Sequence, residues 1–382
     1  MEALIIGAQS PLAQQRVLGL SLLQRAVFSA LDAGAHAIAL ELGPESDPEL
    51  EATAVALRAD PRCTRPVRAL GREQADGERM ILRADALVSP ALLVALEPGE
   101  GIADAHGTVV AARVALMPAA DPGTLLAAAR PRAFAPDRYH YALCVADGSR
   151  LAQARALLLG SLIKPSDGPV SRHVNRHLSR ALTRLCVPLG VTPNQMTVLV
   201  ALAGLLAAYY AAQPSAQAQL LGALLFQLHS VIDGCDGEIA RLTRNFGKHG
   251  ALIDSLVDDA SNTLFFAGLS CGVAAMLGVS WPLYTAALTV GCYAAVAYIQ
   301  YAAVLRTTGK GEKTAFWRGE IEQRSLLMRA LHALGRRDVF VLVILIAVGL
   351  GLAPLVVAVL PFMAVGALAQ SVQRARSAAA AI

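Results

Sequence analysis

No CxxC pair and no cysteine-dense segment occurs in the 382 residues; Cys63, Cys144, Cys186, Cys235, Cys271 and Cys292 are scattered along the chain. That spacing argues against a structural zinc site and a disulfide framework, and it fits a reducing cytoplasm. Cys235 is read as a packing residue. Charge is also short of an excess: 33 Lys and Arg against 29 Asp and Glu leave a net +4. The basic residues gather beside apolar segments, so lipid head groups or substrate phosphates explain them and nucleic acid does not. A basic n-region followed by an apolar h-region is missing as well. Met1 leads directly into ALIIGA, a buried-strand pattern, so no signal peptide is expected. Residues 1–160 lack long apolar runs and carry charge throughout, as a soluble domain does.

From about residue 196 the pattern changes. Mean hydropathy over the chain is +0.49, and 55% of residues are hydrophobic. Six candidate membrane spans are expected near 196–213, 216–234, 251–276, 281–305, 338–353 and 355–372. The linkers after the first, third and fifth (AAQPSAQAQ, LGVSWP, LAP) are uncharged. Those after the second and fourth carry RLTRNFGKH and an arginine-rich stretch, and the tail has Arg374 and Arg376. An excess of Lys and Arg marks cytoplasmic loops, so both chain ends are expected in the cytoplasm. Lys310, Lys313, Arg318, Arg336 and Arg337 in the fourth linker either serve that rule, the favoured reading, or touch an anionic substrate.

Charge at membrane depth is expensive, which makes the stretch DGCDGEIARLTRNFGKHGALIDSLVD, residues 233–258, the informative one. Asp233, Asp236, Gly237, Ala240 and Arg241 follow i, i+3, i+4, i+7, i+8 and share one helix face. Asp254 and Asp258 are i, i+4 on the next helix. Two antiparallel helices would bring the four carboxylates together, and hard oxygen donors suit Mg²⁺ or Mn²⁺. Gly237 and Ala240 leave room on the same face for a ligand or a backbone. Asp259 is turned about 100° from Asp258 on a helix and is given no role.

The spacing D-x2-D-G-x2-A-R-x8-G-x3-D-x3-D resembles the signature of the CDP-alcohol phosphotransferase family. Its fixed positions here are Asp233, Asp236, Gly237, Ala240, Arg241, Gly250, Asp254 and Asp258. At average residue frequencies a chance match is on the order of 10⁻¹⁰ to 10⁻⁹ per start point, so the motif is specific. The resemblance implies an integral-membrane, all-α transferase that moves a substituted phosphate from a CDP-alcohol to an alcohol or phosphoalcohol acceptor and releases CMP. It implies that Asp233, Asp236 and Asp254 hold one or two divalent ions. Asp258 belongs to the same metal-binding set and serves as the general base. Gly237, Ala240, Arg241 and Gly250 attend the CDP donor. Thr192-Pro193-Asn194 caps the first span, and Pro193-Asn194 with Thr197 resembles the P-N-x-x-T opening of that family, which adds Asn194 and Thr197 to the donor side. A homodimer is implied in the same way.

Ahead of the first span, KPSDGPVSRHVNRHLSRALTR, residues 164–184, contains a turn at Ser166-Asp167-Gly168-Pro169. Val170, Val174, Leu178, Leu182 and Leu185 then form an apolar stripe, with Arg172, Arg176, Arg180 and Arg184 every fourth residue beside it. This pattern predicts an amphipathic helix at the cytoplasmic interface. It either anchors lipid phosphates or lends Lys164, Arg172 or Arg176 to the phosphate of an acceptor.

In the N-terminal part, ALIIG reads as a strand, LSLLQRAVFSALDAG as an amphipathic helix and HAIALEL as a second strand. RPVRAL, RMILRADALVSPALLVAL and TVVAARVALM continue the alternation, which predicts an α/β layered domain. The order is similar to a sugar-phosphate nucleotidyltransferase with a Rossmann-like sheet, and Asp85 falls where that family carries a metal-binding aspartate. The first loop departs from the family pattern. From Gly7 to Gly19 it reads GAQSPLAQQRVLG, without a second glycine two residues on and without a lysine, so it cannot close around a triphosphate. The domain is therefore expected to be degenerate.

The expected organisation is a nucleotidyltransferase-like domain at 1–155, a linker with the interfacial helix at 156–190 and the transmembrane transferase domain at 191–382. This fused architecture resembles the inositol-1-phosphate cytidylyltransferase and di-myo-inositol-phosphate-phosphate synthase family, which implies CDP-inositol as donor and an inositol phosphate as acceptor. Phospholipid synthesis from CDP-diacylglycerol and a non-catalytic, membrane-anchored nucleotide-binding scaffold are the alternatives.

Overall fold

A computed structural model describes residues 1–41, 48–70, 77–116, 120–247, 249–307 and 336–380. The chain divides into two compact units, Met1–Lys164 with Leu242–Arg244, and Pro165–Arg241 with Asn245 onward.

The first unit is α/β. Its elements are β1 (Glu2–Ile6), β2 (Arg16–Val17), β3 (Leu20–Ser21), α1 (Leu22–Asp32), β4 (Ala37–Glu41), α2 (Pro48–Ala59), β5 (Val67–Leu70), β6 (Gly77–Arg83), β7 (Ala86–Val88) and α3 (Pro90–Val94). There follow β8 (Glu100–Ala103), β9 (Val109–Leu116), α4 (Pro122–Ala128), β10 (Arg130–Pro131), β11 (Ala142–Cys144) and α5 (Leu151–Gly160). Seven strands form one sheet in the order β10-β8-β9-β6-β1-β4-β5. β6, β1, β4 and β5 run parallel, whereas β9 is antiparallel to both β6 and β8. The apolar runs of β1 and β4 suit strands covered on both faces. Alternate residues of β1 enter two separate cores: Ala3 and Ile5 pack with Leu23, Val27 and Phe28 of α1, while Leu4 and Ile6 pack with Ile81, Ala112 and Leu126 of α4. α1 starts in a capping box, with Ser21 Oγ accepting from Gln24 N and the Gln24 side chain accepting from Ser21 N.

The loop after β1 spends its amides on itself. Ser10, Ala13 and Gln15 N–H groups donate to Gly7, Ser10 and Leu12 carbonyls at 3.1, 2.9 and 3.0 Å, and Leu12 N–H donates to Ser10 Oγ. A phosphate cradle needs such amides pointing at the anion. Asp85 is held by Arg83, whose Nε and Nη2 reach its two oxygens at 2.9 and 2.7 Å.

The second unit is helical, with α6 (Arg176–Cys186), α7 (Pro193–Ala211), α8 (Ala216–Thr243), α9 (Gly250–Leu277), α10 (Trp281–Thr307), α11 (Arg337–Gly349) and α12 (Ala353–Ala380). The stretch expected to be one amphipathic helix opens with a π-helical turn at Ser171–Asn175 before α6 begins. Val174, Leu178 and Leu185 are exposed, as an apolar stripe at an interface would be. Among the described residues, four helices are long and apolar enough to cross a membrane: Pro193–Ala211, Gly250–Leu277, Trp281–Ala303 and Ala353–Ser377. α8 falls outside that set because it carries Asp233, Asp236, Glu238 and Arg241. α11 does so because it is 13 residues long.

α7 begins in a second capping box, Thr192 with Gln195, and has Pro193 in its first turn, where a missing N–H costs nothing. Val198, Leu199, Leu202, Leu205 and Leu206 of α7 lie exposed on its outer side, a surface suited to lipid. Its inner side is small. A Cβ on Gly222 of α8 would come within 2.6 Å of Ala211 N, and one on Gly268 or Gly272 of α9 would meet the carbonyls of Ala208 or Ala211. Close approach through small residues is the packing rule for helices in lipid. Beneath it, Phe226 and Phe265 stack with ring centroids 4.0 Å apart and Phe266 meets both edge-on. Such pairs contribute roughly 0.5–1.5 kcal/mol each beyond area burial.

Candidate active site

The turn between α8 and α9 reverses the chain, so the two halves of the aspartate motif face each other. Asp233, Asp254 and Asp258 each offer an oxygen to a group whose atoms lie within 4.8 Å of one another. Asp236 is outside that group. Its Oδ2 accepts from Thr197 Oγ1 of α7 at 3.0 Å, and its Oδ1 accepts from the Gly237 amide. Three of the four carboxylates thus form the tightest group, and Asp236 stands beside it, bonded to Thr197 and in side-chain contact with Asp254.

Arg337, the first residue of α11, lies against this cluster. Its Nη1 donates to Asp233 Oδ2 at 3.0 Å and also to Asp258 Oδ2. Its Nη2 donates to His229 Nε2 at 2.7 Å. His229 Nδ1 lies 2.9 Å from Val200 O. A carbonyl only accepts, so Nδ1 carries the proton and Nε2 is the acceptor for the arginine. The ring is fully buried and parallel to Phe226, with centroids 6.0 Å apart.

Oδ1 of Asp233 and Oδ1 of Asp258 are buried and have no hydrogen-bond partner among the described residues. Orphaned buried carboxylate oxygens are costly unless a cation meets them. Three clustered carboxylates with two such oxygens fit a divalent ion with hard oxygen ligands.

The remaining motif residues fall nearby. A Cβ on Gly237 would stand 3.3 Å from Arg241 Nη1, so the glycine lets that guanidinium lie over the α8 backbone. Arg241 Nε and Nη2 are buried without a hydrogen-bond partner among the described residues. Ala240 is half-buried, and its carbonyl accepts from Asn245 N at 3.1 Å. Gly250 opens α9, its amide on Gly247 O at 3.1 Å, and a Cβ on Gly247 would be 3.7 Å from Asn194 Oδ1.

The basic residues ahead of α7 are placed differently. Arg176 forms a two-pronged pair with Asp167, both contacts at 3.0 Å, and a third contact with Glu238 Oε1 at 2.8 Å. Arg172 Nη2 donates to the Pro165 and Asp167 carbonyls at 2.9 and 3.2 Å. Lys164 is exposed and closes the first unit. Arg336 instead donates to Ser166 O at 2.8 Å, and Asp338 Oδ2 accepts from Ser171 N at 2.8 Å. These contacts fold the Ser166–Ser171 turn over a cavity of about 280 Å³, lined by Ser166, Ser171, Ser230, Asp233, Arg336 and Arg337 among others. Lys164, Arg172 and Arg176 are not in its lining. Lys310, Lys313 and Arg318 lie outside the described residues.

Sequence reasoning missed Arg337, His229 and Glu238. Arg337 was assigned to topology or to an anionic substrate, not to the aspartates it meets. Glu238 sits at a variable position of the motif, yet it is fully buried and accepts from Ser179, Thr183 and Arg176.

Comparison with known proteins bears on this site. Residues 190–368 match the CDP-alcohol phosphatidyltransferase family model. This stretch is a CDP-alcohol phosphotransferase domain. A relative from Rubrobacter xylanophilus, named bifunctional IPC transferase and DIPP synthase, is 38% identical over 142 residues, covering 37% of this chain and 32% of that protein. One of the same name from Thermococcus kodakarensis is 32% identical over 178 residues, covering 44% and 40%. An archaetidylinositol phosphate synthase from Pyrococcus horikoshii is 34% identical over 84 residues, covering 22% and 43%. In each case the chain spans less than half the length of the curated relative it matches. Among solved structures, Mycobacterium tuberculosis phosphatidylinositol phosphate synthase with CDP-DAG bound is 20% identical with a TM-score of 0.40, covering 52% of this chain and 92% of that one.

Proposed function

We propose that this protein is an integral-membrane enzyme that transfers a substituted phosphate from a CDP-alcohol to an alcohol or phosphoalcohol and releases CMP. The observation that carries this reading is the cluster of Asp233, Asp254 and Asp258, with two buried and unpartnered oxygens, inside a CDP-alcohol phosphotransferase domain. Asp233, Asp254 and Asp258 would hold the ion, and Asp236, tied to Thr197 and in side-chain contact with Asp254, would join them. A bound Mg²⁺ or Mn²⁺ would neutralise the donor diphosphate and the charge that develops on departing CMP.

The acceptor hydroxyl attacks the phosphorus bearing the donor alcohol. The bond from that phosphorus to the CMP oxygen breaks, and the hydroxyl proton passes to Asp258 as general base. Arg241, with two buried nitrogens lacking a hydrogen-bond partner among the described residues, would meet donor phosphate, and Gly237 and Ala240 would leave room for the nucleotide. Asn194, Thr197 and Gly250 complete the donor side.

The cavity beside Asp233 supports a polar, anionic acceptor. Arg336, Arg337, three serines, Asp167, Asp233 and Asp338 line a space of about 280 Å³, a polar lining and a size suited to a polyol, with the two guanidiniums available to its phosphate. In this reading the donor is CDP-inositol and the acceptor an inositol phosphate, as the names of two relatives suggest. The Pyrococcus relative favours a second reading, a lipid CDP donor. The N-terminal domain at 1–155 is non-catalytic in this reading, supported by the self-bonded loop after β1 and the Arg83–Asp85 pair. The active-site mouth and both termini face the cytoplasm, a reading that rests on loop charge, and the enzyme works as a homodimer.

The test is CMP release by the purified full chain in detergent with Mg²⁺, comparing CDP-inositol with CDP-diacylglycerol across alcohol and phosphoalcohol acceptors. Release with CDP-inositol alone supports the soluble-product reading. Release with CDP-diacylglycerol alone moves the protein to phospholipid synthesis, and release with neither overturns both.

A further inference from the structure

We infer that Arg337, held by His229, is a positioning residue that sets the orientation of Asp233 and Asp258 toward the divalent ion, an inference that rests on the metal-site reading above. A carboxylate at the end of an aspartate turns easily, because its terminal torsion has broad, two-fold preferences. Here that freedom is removed twice by one group. Arg337 Nη1 takes Oδ2 of Asp233 and Oδ2 of Asp258 together. The oxygens left over, Oδ1 of each, are the buried atoms without a hydrogen-bond partner. One guanidinium therefore divides both carboxylates in the same sense, one oxygen for itself and one to spare.

The guanidinium is in turn aimed. Its Nη2 is fixed by His229 Nε2 at 2.7 Å, and His229 is fixed by Val200 O at 2.9 Å and by its stacking on Phe226. The chain of contacts runs from the α7 backbone through α8 to the first residue of α11 and back to α8 and α9. Groups behind a metal ligand commonly fix its orientation, and losing them weakens binding by roughly 10–100-fold. A lysine would keep the charge of Arg337, but its point-like ammonium cannot reach two carboxylates and a histidine in one planar fork.

The inference separates positioning from simple charge balance, because deleting a mere counter-charge from a carboxylate cluster would tighten cation binding. The experiment is Mn²⁺ binding to the purified full chain in detergent, read from the electron paramagnetic resonance spectrum with Mn²⁺ alone as the probe, and competed with Ca²⁺. Positioning predicts that Arg337→Met and Arg337→Lys both weaken Mn²⁺ by about 10–100-fold, broaden the bound signal and let Ca²⁺ compete more effectively as the cluster loosens. His229→Gln and His229→Leu leave every charge of the cluster in place and carry the test where an Arg337 variant does not fold. Gln, with an oxygen able to accept from Arg337, should keep near-native affinity, and Leu should lose it. Equal or tighter binding in Arg337→Met, full rescue by Arg337→Lys, or indifference to His229→Leu overturns the inference alone. Absence of Mn²⁺ binding by the unaltered chain overturns the metal-site reading and this inference with it.

Discussion

The Arg176 guanidinium and the Glu238 carboxylate meet at 2.8 Å in the protein interior, so the segment ahead of α7 is pinned to the same helix that carries Asp233 and Asp236. Glu238 also receives the Ser179 and Thr183 hydroxyls at 2.7 and 2.8 Å, which satisfies both of its oxygens. Breaking a buried pair by removing one partner typically costs about 3–5 kcal/mol. Glu238→Ala should therefore lower the thermal midpoint of the detergent-solubilised protein. A midpoint unchanged from the parent would show that Asp167 alone suffices for Arg176.

Asp258 and Asp236 should fail in different ways. Asp258→Asn is expected to reduce turnover by at least about 10²–10⁴-fold, the range of a lost general base, while CDP-alcohol binding persists. Asp236→Ala is expected to lose donor binding and metal binding together. Isothermal titration with the donor, beside CMP release, separates the two, and parent-like turnover in either variant removes its assigned role.

Thr197 offers a finer probe, because its hydroxyl donates to Asp236 Oδ2 at 3.0 Å from a different helix. Hydrogen bonds to charged groups contribute about 1.5–3 kcal/mol. Thr197→Val, which keeps the shape, should weaken donor affinity by roughly 10–100-fold, and Thr197→Ser should restore most of it. Equal affinities in all three proteins would leave Asp236 independent of α7.

The N-terminal domain is expected to make no CDP-alcohol. Supplied with CTP, Mg²⁺ and inositol phosphate, the full chain should release no pyrophosphate above background. Pyrophosphate release abolished by Asp85→Asn would show that the loop after β1 opens and that Asp85 exchanges Arg83 for a metal.

Much of the site was legible because it is local. The motif places its residues by helical spacing within 26 residues, and the capping pairs Ser21 with Gln24 and Thr192 with Gln195 lie three positions apart. What escaped is distant. Arg337 meets Asp233 across 104 positions, and a basic residue at the head of an apolar helix is equally well explained by topology. The reversed direction of β9 was likewise invisible, since a strand's side-chain pattern is the same whichever way it runs. Hydropathy reading gave six spans, whereas four described helices are long and apolar enough. α8 trades apolar character for the aspartates, and α11 is short. The arginine period in 172–184 was read as a charged face, but Arg176 turned inward because Glu238, 62 residues on, supplies a buried partner.

The glycines that bring α7 against its neighbours also limit where this protein can move. Where the α8 and α9 backbones seat on Ala207, Ala208 and Ala211, at Gly222, Gly268 and Gly272, the glycines bring no side chain that could re-pack. Sliding one helix along another would then drive backbone into backbone. α7 is in this sense a fixed post, and Thr197 near its head is a fixed point of reference for Asp236. Motion within the second unit then falls to its other segments, among which the Ser166–Ser171 turn is fastened by hydrogen bonds and ion pairs that can be exchanged one at a time.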